Sequence, residues 1–236
     1  IPKPSLLQES VKLIDELNIT QQNQDTQGDL YEYLLSELQS SGKNGQFRTP
    51  RHIIRMIVEL VNPVLGDRIC DPACGTGGFL INAYQHILKE NTSPDVLEID
   101  EDGVPHHLVG DKITDKKQRA FIKEKALHGF DFDTTMVRIA LMNAVLHGID
   151  KPSIKYTDTL SKVYEEKEKY EIVLANPPFK GSIDKSDISD RLKLKTTKTE
   201  LLFMNLFAEL LVTGGKCGAI VPDGVLFGSS NAHKEA

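Results

Sequence analysis

The stretch Arg68-Ile69-Cys70-Asp71-Pro72-Ala73-Cys74-Gly75-Thr76-Gly77-Gly78-Phe79-Leu80 decides the fold. Arg68 to Asp71 reads as a short strand and Gly78 to Leu88 as a helix, with a glycine-rich turn between them. Glycine lets a backbone pass close to a ligand. A helix amino terminus offers free N–H groups to a carboxylate or phosphate. The bland alternative is a tight turn of the kind any α/β protein uses. A dinucleotide fingerprint fails, because counting from Gly75 puts Leu80 where the third glycine belongs, and no Walker lysine follows. Asp-Pro followed by Gly75, Gly77 and Gly78 is more than a turn requires, and favours a ligand site.

Downstream of this turn strands and helices alternate. Residues 126–130, 154–156, 171–175 and 218–221 read as strands, and 134–147 and 200–212 as helices. The run Ile172-Val173-Leu174-Ala175 is apolar throughout, as in a strand buried on both faces. The pattern predicts an α/β fold with a mainly parallel sheet, in which ligands bind beyond the carboxyl ends of the strands. Upstream, Thr49 suits a helix N-cap and Pro50 the first helical position, followed by the apolar stripe Ile53, Ile54, Ile57, Val58 and Val61. Residues 5–39 read as helical with a polar break at 18–29. The 40–45 loop separates a helical segment (1–41) from the main domain (42–236). Residues 91–125 read as a polar insertion with one short helix at 118–125. Residues 180–199 read as a solvated, disordered surface loop rich in lysine.

Composition bounds the rest. The 236 residues are 39% hydrophobic and 26% charged, which excludes wholesale disorder. Lys+Arg 28 against Asp+Glu 34 gives a net charge of −6, which argues against a general basic coat for nucleic acid but leaves room for a local groove. Three cysteines (Cys70, Cys74, Cys217) with no CxxC pair argue against a disulfide framework or a cysteine-rich zinc site, and fit a reducing cytoplasm. The longest stretch free of Asp, Glu, Lys and Arg, Pro72 to Leu88, holds Gly75, Gly77, Gly78, Gln85 and His86, so no membrane span is expected. No secretory leader pattern is visible, and a start at Ile1 rather than Met suggests a processed or trimmed chain. His106-His107 shows no partnered carboxylate pattern, so no metal is expected there. Cys74 reads as a small buried turn residue.

A second motif, Asn176-Pro177-Pro178-Phe179, directly follows the apolar strand. Two prolines forbid continuation of strand or helix and fix a rigid loop. The Asn amide oxygen and an exposed carbonyl could accept from one NH₂ group, and Phe179 could stack on a planar ring. Alone, the same residues serve equally well as a strand terminator with a buried aromatic plug. Their place downstream of the glycine turn favours the functional reading.

Together, DPACGTGGFL and NPPF resemble the amino-methylating DNA methyltransferases that use S-adenosylmethionine, in the wording of the adenine-N6 group. The upstream Gly45-Gln46-Phe47-Arg48-Thr49-Pro50-Arg51, with Asp29-Leu30-Tyr31-Glu32-Tyr33-Leu34-Leu35 before it, is similar to the modification subunit of type I restriction–modification systems. The resemblance spans roughly residues 28–236. It implies a Rossmann-like, S-adenosylmethionine-dependent methyltransferase domain. Asp71, Pro72 and the turn Gly75, Thr76, Gly77 and Gly78 would cradle the methionine part of the cofactor. Asp131 would accept from its ribose hydroxyls, Phe132 would pack on its adenine and Asp158 would accept from the adenine amine. For both aspartates an ordinary strand end or N-cap is the alternative. Gln46, Phe47, Arg48, Thr49, Pro50 and Arg51 would close the pocket, with Asn176 between cofactor and substrate.

The resemblance also implies a reaction. Asn176, Pro177, Pro178 and Phe179 would hold a flipped adenine of double-stranded DNA while its N6 takes the methyl group. A specificity subunit and a restriction subunit would be partners, and the 180–199 segment could order on DNA phosphates. A complete domain of this kind carries further strands after 214–221, so carboxyl-terminal strands are expected to be missing. Two other classes fit the residues less well: a methyltransferase for another amino substrate (a protein glutamine or guanine), and a non-catalytic cofactor-binding scaffold.

Overall fold

The computed structural model describes residues 3–16, 27–28, 30–31, 33–35, 49–101, 103, 105–179 and 181–235. In chain order the elements are α1 (Pro4–Glu16), α2 (Arg51–Val61), β1 (Ile69–Asp71), α3 (Gly78–Glu90), β2 (Glu98–Ile99), β3 (Pro105–His106) and α4 (Lys116–Glu124). Then follow β4 (Leu127–Asp131), α5 (Thr134–Leu146), β5 (Ser153–Tyr156), β6 (Tyr170–Ala175), α6 (Thr199–Leu210), β7 (Leu211–Ala219), α7 (Asp223–Leu226) and α8 (Asn231–Glu235).

Five strands form one sheet in the order β5-β4-β1-β6-β7, and every neighbouring pair is parallel. The chain winds outward from β1 through β4 to β5, then returns to the other side of β1 for β6 and β7. The order therefore reverses between β1 and β6, and ligands of such sheets bind beyond the carboxyl ends of the strands at that reversal. Alternate residues of each strand face opposite layers. Ile69, Leu127, Ile172 and Leu174 pack with α2, α3 and α5 in one core cluster. Cys70, Phe130, Val173 and Ala175 pack with α6 in the other.

Several expectations need correction. Helix α6 ends at Leu210, and β7 begins at once and runs nine residues instead of starting at Gly218. Gly214 and Gly215 lie inside this strand. Gly214 adopts φ 84, and the register against β6 shifts between Tyr170 and Ile172, so the irregularity is absorbed within the strand. The insertion holds an antiparallel β2–β3 ribbon besides α4, and there His106 pairs with Asp100 and His107 with Glu98, each at 3.0 Å. Both histidines thus do have carboxylate partners. The 181–199 segment is not a solvated loop: Ile188, Leu192 and Leu194 are buried in the second core cluster. Lys193 and Lys195 alternate outward between them, and Arg191 donates to the carbonyls of Glu166 and Tyr164. Leu6, Leu7, Val11 and Leu13 of α1 are all exposed. The 40–45 boundary loop lies outside the described residues. No helix among the described residues is long and apolar enough to cross a membrane.

Candidate active site

The glycine turn leaves β1 and is fastened on all sides. Cys74 N donates to Phe130 O at 2.9 Å, and Gly77 N to Cys74 O at 2.8 Å. Asn143 of α5 donates from Nδ2 to Thr76 O at 3.0 Å, and Thr159 Oγ1 donates to Pro72 O at 2.9 Å. Gly77 is the N-cap of α3 at φ 81, a left-handed conformation that costs an L side chain roughly 1–2 kcal/mol. Gly75 is also left-handed at φ 51, and a Cβ built there would meet nothing within 4 Å. The outer side of the turn is therefore open to close approach. No side chain caps α3, and its first turn carries no acid, so its N–H groups suit an incoming carboxylate.

Two carboxyls sit below and beside this turn. Asp71 is 2% exposed, and its Oδ1 accepts from Ala73 N at 3.1 Å. Burial pushes its pKa up to about 8, and the charge of Asp131 adds to the rise. Asp131, at the end of β4, accepts from Gly75 N through Oδ2 and from Asp133 N through Oδ1, both at 2.9 Å. Its pKa is also raised, chiefly by burial. The sequence reading offered Asp131 a ribose or an ordinary strand-end role; the structure ties it to the backbone of the glycine turn. Phe132, next in the chain, is 66% exposed. Asp158 is exposed beyond β5, and its Oδ1 accepts from Leu160 N at 3.0 Å. Two buried acids with raised pKa values, an open glycine turn and an exposed aromatic ring fit a ligand with an ammonium, a carboxylate and a nucleoside.

Across the reversal point, Asn176 follows β6. Its Nδ2 donates to Thr49 Oγ1 at 2.7 Å, while its Oδ1 is buried and accepts from nothing among the described residues. A buried acceptor without a donor is costly unless something else fills it. Pro177 is buried, whereas Pro178 and Phe179 are exposed, so Phe179 is not the buried plug that the sequence also allowed. Thr49 does not cap α2. Pro50 takes the N-cap place at φ −56 and ψ 139, with no side-chain cap, and the Thr49 hydroxyl serves Asn176 instead. Arg51 is the first helical residue and exposed; Gln46, Phe47 and Arg48 lie outside the described residues. Cys74 is buried, with burial holding its thiol well above the ordinary range. Among the described residues no cluster of three His, Cys, Asp or Glu side chains could hold a metal.

Sequence reading missed Asn143 and Thr159. Asn143 is fully buried within the apolar run of α5, and a lone amide in such a run was the available signal. Thr159 carried none, because its partner is a carbonyl 87 residues away.

The chain is similar to known proteins over nearly its whole length. Residues 22–235 match the family model described as N-6 DNA Methylase. The EcoEI methylase subunit of a type I restriction enzyme from Escherichia coli is 33% identical over 231 residues, covering 95% of this chain and 42% of that protein. The StySJI methylase subunit from Salmonella typhimurium is 34% identical over 238 residues, covering 96% and 42%. The crystal structure of the type I restriction enzyme EcoKI M protein superposes with a TM-score of 0.67 at 30% identity, over 82% of this chain and 37% of that one. The chain thus spans about two fifths of the length of these relatives. Its motifs, its sheet order and these matches agree: the chain belongs to the N-6 DNA methylase family.

Proposed function

We propose that this chain carries the catalytic domain of an adenine-N6 DNA methyltransferase, the modification subunit of a type I restriction–modification system. The cofactor is S-adenosyl-L-methionine and the substrate double-stranded DNA, with a specificity subunit and a restriction subunit as partners. Residues 1–41 form a helical segment ahead of the domain at 42–236. The observation that carries this reading is the buried Asn176 Oδ1 at the end of β6, beside the sheet's reversal point, which accepts from no donor among the described residues.

Roles follow from the chemistry of each group. Asp71 and the N–H groups at the start of α3 bind the ammonium and carboxylate of the methionine part. Asp131 keeps acceptor capacity beyond its two backbone bonds and takes the ribose hydroxyls. Phe132 covers the cofactor's adenine, and Asp158 accepts from its amine. Residues 46–51 close the opposite wall. When bound, S-adenosylmethionine supplies a methyl group already activated by its sulfonium.

The target adenine leaves the duplex at a cost of a few kcal/mol and stacks on Phe179. Asn176 Oδ1 and the Pro177 carbonyl accept its two amine hydrogens. This would draw the nitrogen toward tetrahedral geometry and free its lone pair for the methyl carbon, whose bond to sulfur would break to release a neutral thioether while the nitrogen gives up one hydrogen as a proton to solvent. Positioning supplies much of the rate.

Nucleoside analysis by mass spectrometry, after incubating the complete assembly containing this chain with a cognate duplex, tests the reading. N6-methyladenine is expected, with the rate reduced about 100-fold by Asn176→Ala, comparable to removing one transition-state hydrogen bond, and cofactor affinity retained. Methyl groups on protein glutamine, or a rate indifferent to Asn176→Ala, would overturn it.

A further inference from the structure

We propose that Asn143 of α5 is a positioning residue: it locks the peptide between Thr76 and Gly77, and so keeps the glycine turn in the shape that admits the carboxylate end of the cofactor. The inference rests on the cofactor reading of that turn above. A peptide plane flips through the ψ of the residue before it and the φ of the residue after it. After this one stands Gly77, at φ 81, and glycine takes positive and negative φ about equally readily. The turn's own sequence therefore does not hold the plane one way round.

The structure holds it at both edges. Gly77 N donates to Cys74 O at 2.8 Å, a bond internal to the turn. Asn143 Nδ2 donates to Thr76 O at 3.0 Å, and this bond reaches in from α5. A carbonyl only accepts, so the amide must show it the NH₂ end. The sense of the bond is thereby fixed. Helix α5 is a firm base for it. Ala140, one turn before Asn143, is fully buried against the turn, and a Cβ at Gly77 would lie 3.5 Å from Ala140 Cβ. A flipped plane would turn the Thr76 carbonyl away from α5, toward the side left open at Gly75. There it would set an acceptor against an incoming carboxylate.

Stability does not account for the residue. Asn143 is 0% exposed, and its Oδ1 accepts from no donor among the described residues. A closed-off acceptor costs as much as a neutral hydrogen bond returns, or more. For the core alone, an apolar residue serves as well. The bond that Asn143 does make goes to the turn.

Two compounds separate a positioning role from a structural one. S-adenosylmethionine carries an ammonium and a carboxylate; 5′-methylthioadenosine has the nucleoside and the thioether but neither charge. In calorimetry on the complete assembly, Asn143→Leu is expected to weaken the Kd for S-adenosylmethionine about 10-fold, the upper scale of one neutral hydrogen bond. The Kd for 5′-methylthioadenosine should stay within about two-fold of wild type, below that scale. Asn143→Asp keeps the shape and decides the matter should the leucine variant fail to fold. Its protonated carboxyl can still donate to Thr76 O, whereas its carboxylate repels it. The ratio of its Kd for S-adenosylmethionine to that of wild type should therefore grow between about pH 5 and about pH 8, where a buried carboxyl titrates. Unchanged affinity for S-adenosylmethionine in Asn143→Leu overturns the proposal. So does a loss shared equally by 5′-methylthioadenosine, or a ratio for Asn143→Asp that ignores pH. A wild-type assembly that binds neither compound would instead overturn the cofactor reading beneath it.

Discussion

Asp71 shows how burial by the fold sets the chemistry of a single side chain. Its carboxyl sits beneath the glycine turn with a pKa near 8, raised by burial and by Asp131. In the unfolded chain it titrates near 3.8. The folded value is the higher one, so this group's contribution to stability is complete below about pH 4 and is lost as pH rises through about 8. In that window the slope approaches about 1.4 kcal/mol per pH unit for one proton. Thermal melts of the ligand-free protein between pH 6 and 9 should therefore fall with pH, and Asp71→Asn should flatten the trend. An ammonium placed beside the carboxyl draws its proton off. Calorimetric titration with S-adenosylmethionine at pH 7 in two buffers of different ionisation enthalpy should report proton release that Asp71→Asn abolishes. Equal heats in both buffers for the wild type would argue against that pairing.

At the scale of elements, α2 is the piece on which the site depends most. It bridges from Thr49, the partner of Asn176, to the edge strand β7. The contact with β7 is close: a Cβ at Gly218 would lie 2.6 Å from Ile57 Cγ2 and 2.8 Å from Val61 Cγ2. Branched side chains anchored in a core cannot yield that much without moving the helix. Gly218→Ala should cost about 1–3 kcal/mol and lower the melting temperature by several degrees, at roughly 2–4 °C per kcal/mol for a chain of this size. A melt unchanged within one degree would mean that α2 shifts freely. The glycine turn is built oppositely, because its glycines answer to backbone conformation at Gly77 and to open space at Gly75 rather than to a packed neighbour.

Over the whole molecule, charge and sheet order act together. The net charge of −6 is unfavourable for gripping DNA by field alone. The segment after Asn176 nevertheless presents Lys193, Lys195 and Lys198 outward, on backbone pinned by Leu192 and Leu194. A fixed row of cations on a pinned backbone can release counterions from DNA without first paying an ordering cost. Replacing all three lysines with glutamine should reduce the slope of log K against log salt by up to about 3, near one per phosphate contact. Binding titrations at several salt concentrations measure it, and an unchanged slope would show that these lysines do not meet phosphate.

Much of this was legible in the chain itself. Strands with apolar runs, glycines at a strand–helix turn and prolines after a strand act through local sterics and solvation, so their meaning survives without coordinates. That is why the parallel sheet, the turn at Asp71 to Gly78 and the loop at Asn176 to Phe179 could be read directly. Tertiary structure alone decided the rest. Gly214 and Gly215 stay inside β7 because the strand pairs with β6 on either side of them, Leu211 with Tyr170 and Lys216 with Ile172. Leu192 and Leu194 are buried because α6 and Tyr164 form a surface for them. Thr49 meets Asn176 because the sheet order carries two distant segments together. Such outcomes depend on what lies opposite a residue in space, and a hydrogen bond between positions 127 apart leaves no trace in the spacing of either.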